Sequence, residues 1–117
     1  MKLKEISNDT VLIDASFEEK FNLAGVLRQS LVIAHGGIDI GTYAPTFTRE
    51  GTAGIARSVE DQARDRSGLK LPKREFLQIH DILETLIDLR YDLEKRYGAH
   101  PDLRSDIAQI VERIEIN

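Results

Sequence analysis

His80 and Glu84 stand four residues apart, the spacing that brings two side chains together on one helix face and lets an imidazole nitrogen and a carboxylate reach the same cation. Two ligands do not make a selective metal site, and the chain carries neither an HExxH sequence nor a second His–carboxylate pair. His35 and His100 read as residues at helix ends, where a histidine complements the negative end of the helix dipole. No metal and no cofactor is therefore expected. Asp81, Glu84, Asp88 and Asp92 recur at helical spacing and form one acidic stripe. Catalytic carboxylate pairs normally face each other across a cleft. These four lie along a single face, which suits contact with a basic partner surface better than acid–base chemistry. Gly36 and Gly41 have the glycine spacing of a phosphate-binding loop, but Thr42 follows Gly41 directly and the lysine is missing. No serine stands in a nucleophile-elbow sequence.

Arg74 and His80, separated by five residues, have a spacing similar to the short Arg…His motif of HEPN-family ribonucleases. That resemblance implies a small helical bundle, paired with a second copy, in which Arg74 and His80 act on an RNA phosphodiester at the dimer cleft. Arg28 and His35 have a comparable spacing, and Glu75 follows Arg74 and sets an anion beside the phosphate site. A metal-independent ribonuclease is accordingly the alternative function.

Two further arginines fall inside apolar stripes: Arg28 among Phe17, Phe21, Ala24 and Leu31, and Arg90 among Leu83, Leu86, Leu93 and Tyr97. A guanidinium stays charged at physiological pH, so at a core-facing position it needs a carboxylate, with Glu94 nearest to Arg90 in sequence. Alternatively, the stem covers the core edge and the head reaches water. The stretch from Arg57 to Glu75 holds six cations and four anions, a mixed, solvated pattern without a recognition helix.

Composition narrows the classes. The 117 residues fit one domain, 1–117, and carry a formal net charge of −4, whereas phosphate-binding domains are normally basic. Aromatic content is 6% with no Trp, too little for a base-stacking platform. With no cysteine, disulfides, thiolate metal sites and cysteine nucleophiles are excluded. Met1 to Ile13 lacks a continuous apolar run, and no run elsewhere is long enough for a bilayer, so a cytoplasmic setting without membrane contact is expected.

The elements that must position these residues follow from periodicity. Leu3 to Ile13 predicts a short β-hairpin around Ser7-Asn8-Asp9. Ser16 and Glu19 form a capping-box sequence that starts a helix ending at Gly36-Gly37. Its main stripe is read as Phe17, Phe21, Ala24, Leu27 and Leu31, with Val26 and Ile33 on the opposite side, free to face a partner. A glycine- and threonine-rich loop leads to a peripheral helix that begins between Thr46 and Thr52 and presents Ile55, Ala56, Val59 and Ala63. Leu69 to Leu71 read as a crossing to Pro72. A long helix then runs from Phe76 to Tyr97 on Phe76, Ile79, Leu83, Leu86, Leu93 and Tyr97. A Gly98–Pro101 turn and a last helix on Leu103, Ile107, Ile110, Val111 and Ile114 complete a C-terminal antiparallel αα-hairpin.

The expected fold is mainly α: a small bundle of about four helices with a short N-terminal hairpin. The expected function is a non-catalytic protein-binding module of the small regulatory or toxin-neutralising kind, an analogy at fold level. It is expected to bind a protein partner, basic where it meets Asp81, Glu84, Asp88 and Asp92, and to form a homodimer through Val26 and Ile33, with Arg28 and Arg90 as polar centres.

Overall fold

Asn8 holds φ at 52°, in the left-handed region that asparagine tolerates better than most residues, and the chain reverses there. Strand β1 (Lys2–Ser7) folds back on β2 (Thr10–Asp14) in antiparallel register, from Ser7 opposite Thr10 to Lys2 opposite Asp14. The computed structural model describes residues 1–37, 40–42, 44–89 and 103–116. Among these it contains three strands, four α-helices and one 3-10 turn at Ile40–Thr42.

The expected hairpin is in fact part of a three-stranded sheet. Leu69–Pro72 is a strand, β3, paired antiparallel to β2 with Leu71 opposite Val11 and Leu69 opposite Ile13. The order is β1-β2-β3. Leu69 and Leu71 are buried and Lys70 is exposed, the period of two that marks a strand. A strand of 4 residues is too short for that alternation to stand out in the sequence. Gly68 is required at the entry because a Cβ there would run into the carbonyl oxygen of Ile13.

Helix α1 (Phe17–His35) starts as its capping box predicts. Ser16 Oγ accepts from the Glu19 N–H at 3.1 Å and Glu19 Oε1 accepts from the Ser16 N–H at 3.0 Å. It ends at Gly36, followed by Gly37 at φ 99°, a conformation that favours glycine. Helix α2 (Arg49–Ala63) is capped by Thr48, whose hydroxyl accepts from the Gly51 N–H at 3.0 Å. Its Ile55, Ala56, Val59 and Ala63 are buried as expected, but α2 is not peripheral: it packs along α1, and its small residues let the two backbones approach.

Helix α3 (Lys73–Asp88) buries Phe76, Ile79, Ile82, Leu83 and Leu86. Helix α4 (Leu103–Ile116) buries Leu103, Ile107, Ile110, Val111 and Ile114, and it packs on α3. The expectation of one helix from Phe76 to Tyr97 is corrected. α3 ends at Asp88, where the Leu89 N–H caps it by donating to the Thr85 carbonyl at 2.9 Å. Residues 90–102, with Arg90, Asp92, Glu94 and the Gly98–Pro101 turn, lie outside the described residues.

One cluster of buried side chains draws on β2, β3 and all four helices, with Leu3 and Ile6 of β1 packed against it. The two sheet edges are protected differently. The Gln62 side chain closes the β3 edge: Nε2 donates to the Lys70 carbonyl at 2.9 Å and Oε1 accepts from the Lys70 N–H at 2.7 Å. The β1 edge carries Lys2 and Lys4, and the pairing is irregular at Lys4. Charge and irregularity both discourage pairing with another strand.

Candidate protein-docking surface

Helix α1 divides its residues unlike the stripe read from the sequence. The inward side is Lys20, Leu23, Ala24, Val26, Leu27, Ser30, Ile33 and Ala34. Val26 is 0% and Ile33 5% exposed, so the two residues expected to face a partner are core of this chain. An α1 sandwiched between α2, α3 and the start of the 3-10 turn needs apolar residues over more than half its circumference, which is why they seemed surplus.

The outward side carries Phe17, Phe21 and Val32, at 61%, 64% and 64% exposure. The two rings lie against each other with centroids 6.0 Å apart and planes 22° from parallel. Arg28 shares this face. It is not a polar centre in the core: its side chain is 43% exposed and reaches across to α2, where Nη2 donates to Glu60 Oε1 at 2.6 Å and Nε donates to Glu60 Oε2 at 3.1 Å. This two-point pair, with burial opposing it weakly, raises the Arg28 pKa and lowers that of Glu60. Near the helix start, Phe17 lines a depression with Ala15, Ser16, Lys20, Ala63, Arg64, Asp65 and Arg66.

Sequence reasoning missed the polar centre of α1, which is Lys20. It is 1% exposed, and its ammonium donates to three backbone carbonyls: Gln62 at 2.9 Å, Asp65 at 2.9 Å and Ser67 at 2.6 Å. Three donors meet three acceptors, so the cation is fully satisfied without a carboxylate. These carbonyls come from the end of α2 and the segment after it, where helix-terminal carbonyls need donors. Nothing in the sequence near Lys20 marks it. One residue in the Phe17–Phe21 stripe, Arg28, points to its solvent side, against the inward orientation that its apolar residues suggest.

The acidic stripe is partly neutralised. Glu84 accepts from Arg104 Nε at 3.3 Å and Nη2 at 3.1 Å, which links α3 to α4. Asp81 and Asp88 are exposed, and Asp92 lies outside the described residues. His80 sits between two carboxylates, with Nδ1 3.8 Å from Asp81 and Nε2 3.8 Å from Glu84. Among the described residues no group of three or more His, Asp or Glu could hold a metal ion. Arg74 is exposed in the first turn of α3, and six positions further on His80 points about 120° away around the helix. Within one chain the two do not converge.

At the opposite end of the sheet's first strand, the Met1 amine is enclosed by Glu19 at 2.5 Å and Asp106 at 2.9 Å, tying β1 to α1 and α4. Burial works against both charges. The mutual hydrogen bonds nevertheless hold the amine pKa above its ordinary value and, with the Ser16 N–H, hold the Glu19 carboxyl below its own. Among the described residues no helix is long and apolar enough to cross a membrane. No protein-family model, curated protein or solved structure matches the chain.

Proposed function

We propose that the chain is a non-catalytic protein-binding module, of the small regulatory or toxin-neutralising kind, that docks through the solvent face of α1. The observation that carries this reading is the Phe17–Phe21 stack, two large rings left more than half exposed on a helix whose other side is core. Aromatic residues and arginine dominate the binding energy of protein interfaces, and this face offers two rings and a guanidinium already held in place by Glu60. A basic partner on the acidic face of α3 rests on less: Asp81 and Asp88 are exposed, while Glu84 is already engaged by Arg104. For the ribonuclease alternative, Arg74 and His80 diverge and two carboxylates lie beside the imidazole, where an RNA phosphate would be repelled.

Three tagged baits in the native host extract test the reading: wild type, Phe17→Ser/Phe21→Ser, and Asp81→Lys/Asp88→Lys. The expected result is one partner retained in stoichiometric amount by wild type and by the aspartate variant, and lost by the phenylalanine variant. Loss by the aspartate variant with retention by the phenylalanine variant would move the site to α3. Cleavage of RNA by the purified chain, abolished by His80→Ala, would replace the reading with an enzyme.

A further inference from the structure

The outward face of α1 is self-complementary. Phe17, Phe21, Arg28 and Val32 fall within about 60° of arc on the helix surface, and Gly25 lies at the edge of that stripe. When two copies of α1 cross antiparallel about a two-fold axis between Ala24 and Gly25, Phe17 of one copy falls opposite Val32 of the other. The same register sets Phe21 opposite Arg28. Both matches therefore come from one axis, and that axis passes beside the single glycine of the helix, where the backbones can come closest. Each exposed apolar side chain of the face then meets either an apolar side chain or a guanidinium.

Arg28 fits this role because its two hydrogen bonds to Glu60 fix the plane of the guanidinium while leaving the group partly exposed, ready for a ring to lie against it. Antiparallel copies also bring opposite dipole ends of the helix side by side.

We propose that a second copy of this chain occupies the face, forming a two-fold dimer through Phe17, Phe21, Arg28 and Val32. The proposal rests on the reading of this face as a docking surface and adds its regulation: self-association and partner binding compete for the same rings. The helix is about 28 Å long, so its face offers on the order of 300 Å² per copy. Standard interfaces bury about 800 Å² per partner, and the dimer is accordingly weak, dissociating in the micromolar range or above.

Sedimentation equilibrium of the full chain from about 5 to about 500 μM tests it, a span that covers weak dimers. The expected result is a concentration-dependent monomer–dimer equilibrium. Phe21→Glu and, at the other end of the stripe, Val32→Glu should each weaken it at least tenfold, with the circular dichroism spectrum unchanged. Arg28→Lys should weaken it too, because an ammonium offers no plane to the ring. A monomer at every concentration overturns the proposal. So does a dimer that survives both glutamate variants, which would lie on another surface. A strictly monomeric chain that still holds its partner through Phe17 and Phe21 would remove the second copy and leave the docking function standing.

Discussion

Lys20 and Arg28 lie two turns apart on α1, one with its ammonium enclosed and the other with its guanidinium at the surface. Lys20 is held by three carbonyls at the end of α2 and in the segment after it, where helix-terminal acceptors lack the donors of a continuing helix; Gln62's carbonyl also accepts from the Asp65 N–H at 3.2 Å. Arg28 meets a carboxylate, but in water, where the pair is screened and adds little to stability. A buried cation is thus not recognised by an anion nearby in sequence. It is recognised by a set of backbone acceptors, and those exist only once the fold has formed. The proposed function divides along the same line: the side of α1 holding Lys20 builds the structure, and the side holding Arg28 is the one proposed to meet a partner.

Removing Lys20 should give the largest effect. Lys20→Met keeps most of the apolar stem but takes the ammonium from three carbonyls, of which only Gln62's is shown to keep a backbone donor, the Asp65 N–H, a loss on the order of 3 kcal/mol by urea denaturation if water partly rehydrates them. A loss below about 0.5 kcal/mol, the range of ordinary surface sites, would mean that Lys20 is not the fastening of this connection. Gly68→Ala sharpens the same point from the other side of the loop. The added methyl meets the Ile13 carbonyl, part of the backbone, and should cost about 1–3 kcal/mol as overpacking does.

The pH dependence near the start of α1 comes next. The folded Glu19 pKa lies below its unfolded value, so its contribution is present above the unfolded pKa and is lost as the pH falls through the folded one. Glu19→Gln should therefore reduce stability at neutral pH and flatten the acid limb of a stability–pH profile. An acid limb of unchanged steepness would mean that the Met1–Glu19 contact contributes nothing to acid sensitivity. The smallest effect belongs to Arg28. Arg28→Ala should cost about 0.5 kcal/mol or less at physiological salt, and the difference should shrink further as salt rises. A salt-independent loss of several kcal/mol would return Arg28 to the core.

How legible the fold is in the sequence depends on how local each signal is. The α3 and α4 stripes are readable because each helix buries one face, so period and burial coincide at Phe76, Ile79, Leu83 and Leu86 and at Leu103, Ile107, Ile110 and Ile114. The capping box at Ser16 is readable because its partners are three residues apart. α1 is hard to orient because it has apolar residues on nearly every side. With little contrast between faces, its inner side is decided by the neighbours that pack against it, above all α2, whose thin apolar face suggests a peripheral helix. β3 escapes a sequence reading because a four-residue strand becomes a strand only beside β2. The proposed docking face is visible in the sequence as a stripe, Phe17, Phe21 and Arg28, but its apolar residues orient it inward, the reverse of its place in the fold.

The most direct test of the division of α1 is urea denaturation of Phe17→Ser/Phe21→Ser at a dilution where the wild type is monomeric. Two solvent-facing rings that contribute only a local i, i+4 contact predict a loss below about 1 kcal/mol. A loss on the order of 3–5 kcal/mol, the cost of deleting a core phenylalanine, would show that the rings belong to the interior and would contradict the division of the helix into a structural and a docking side.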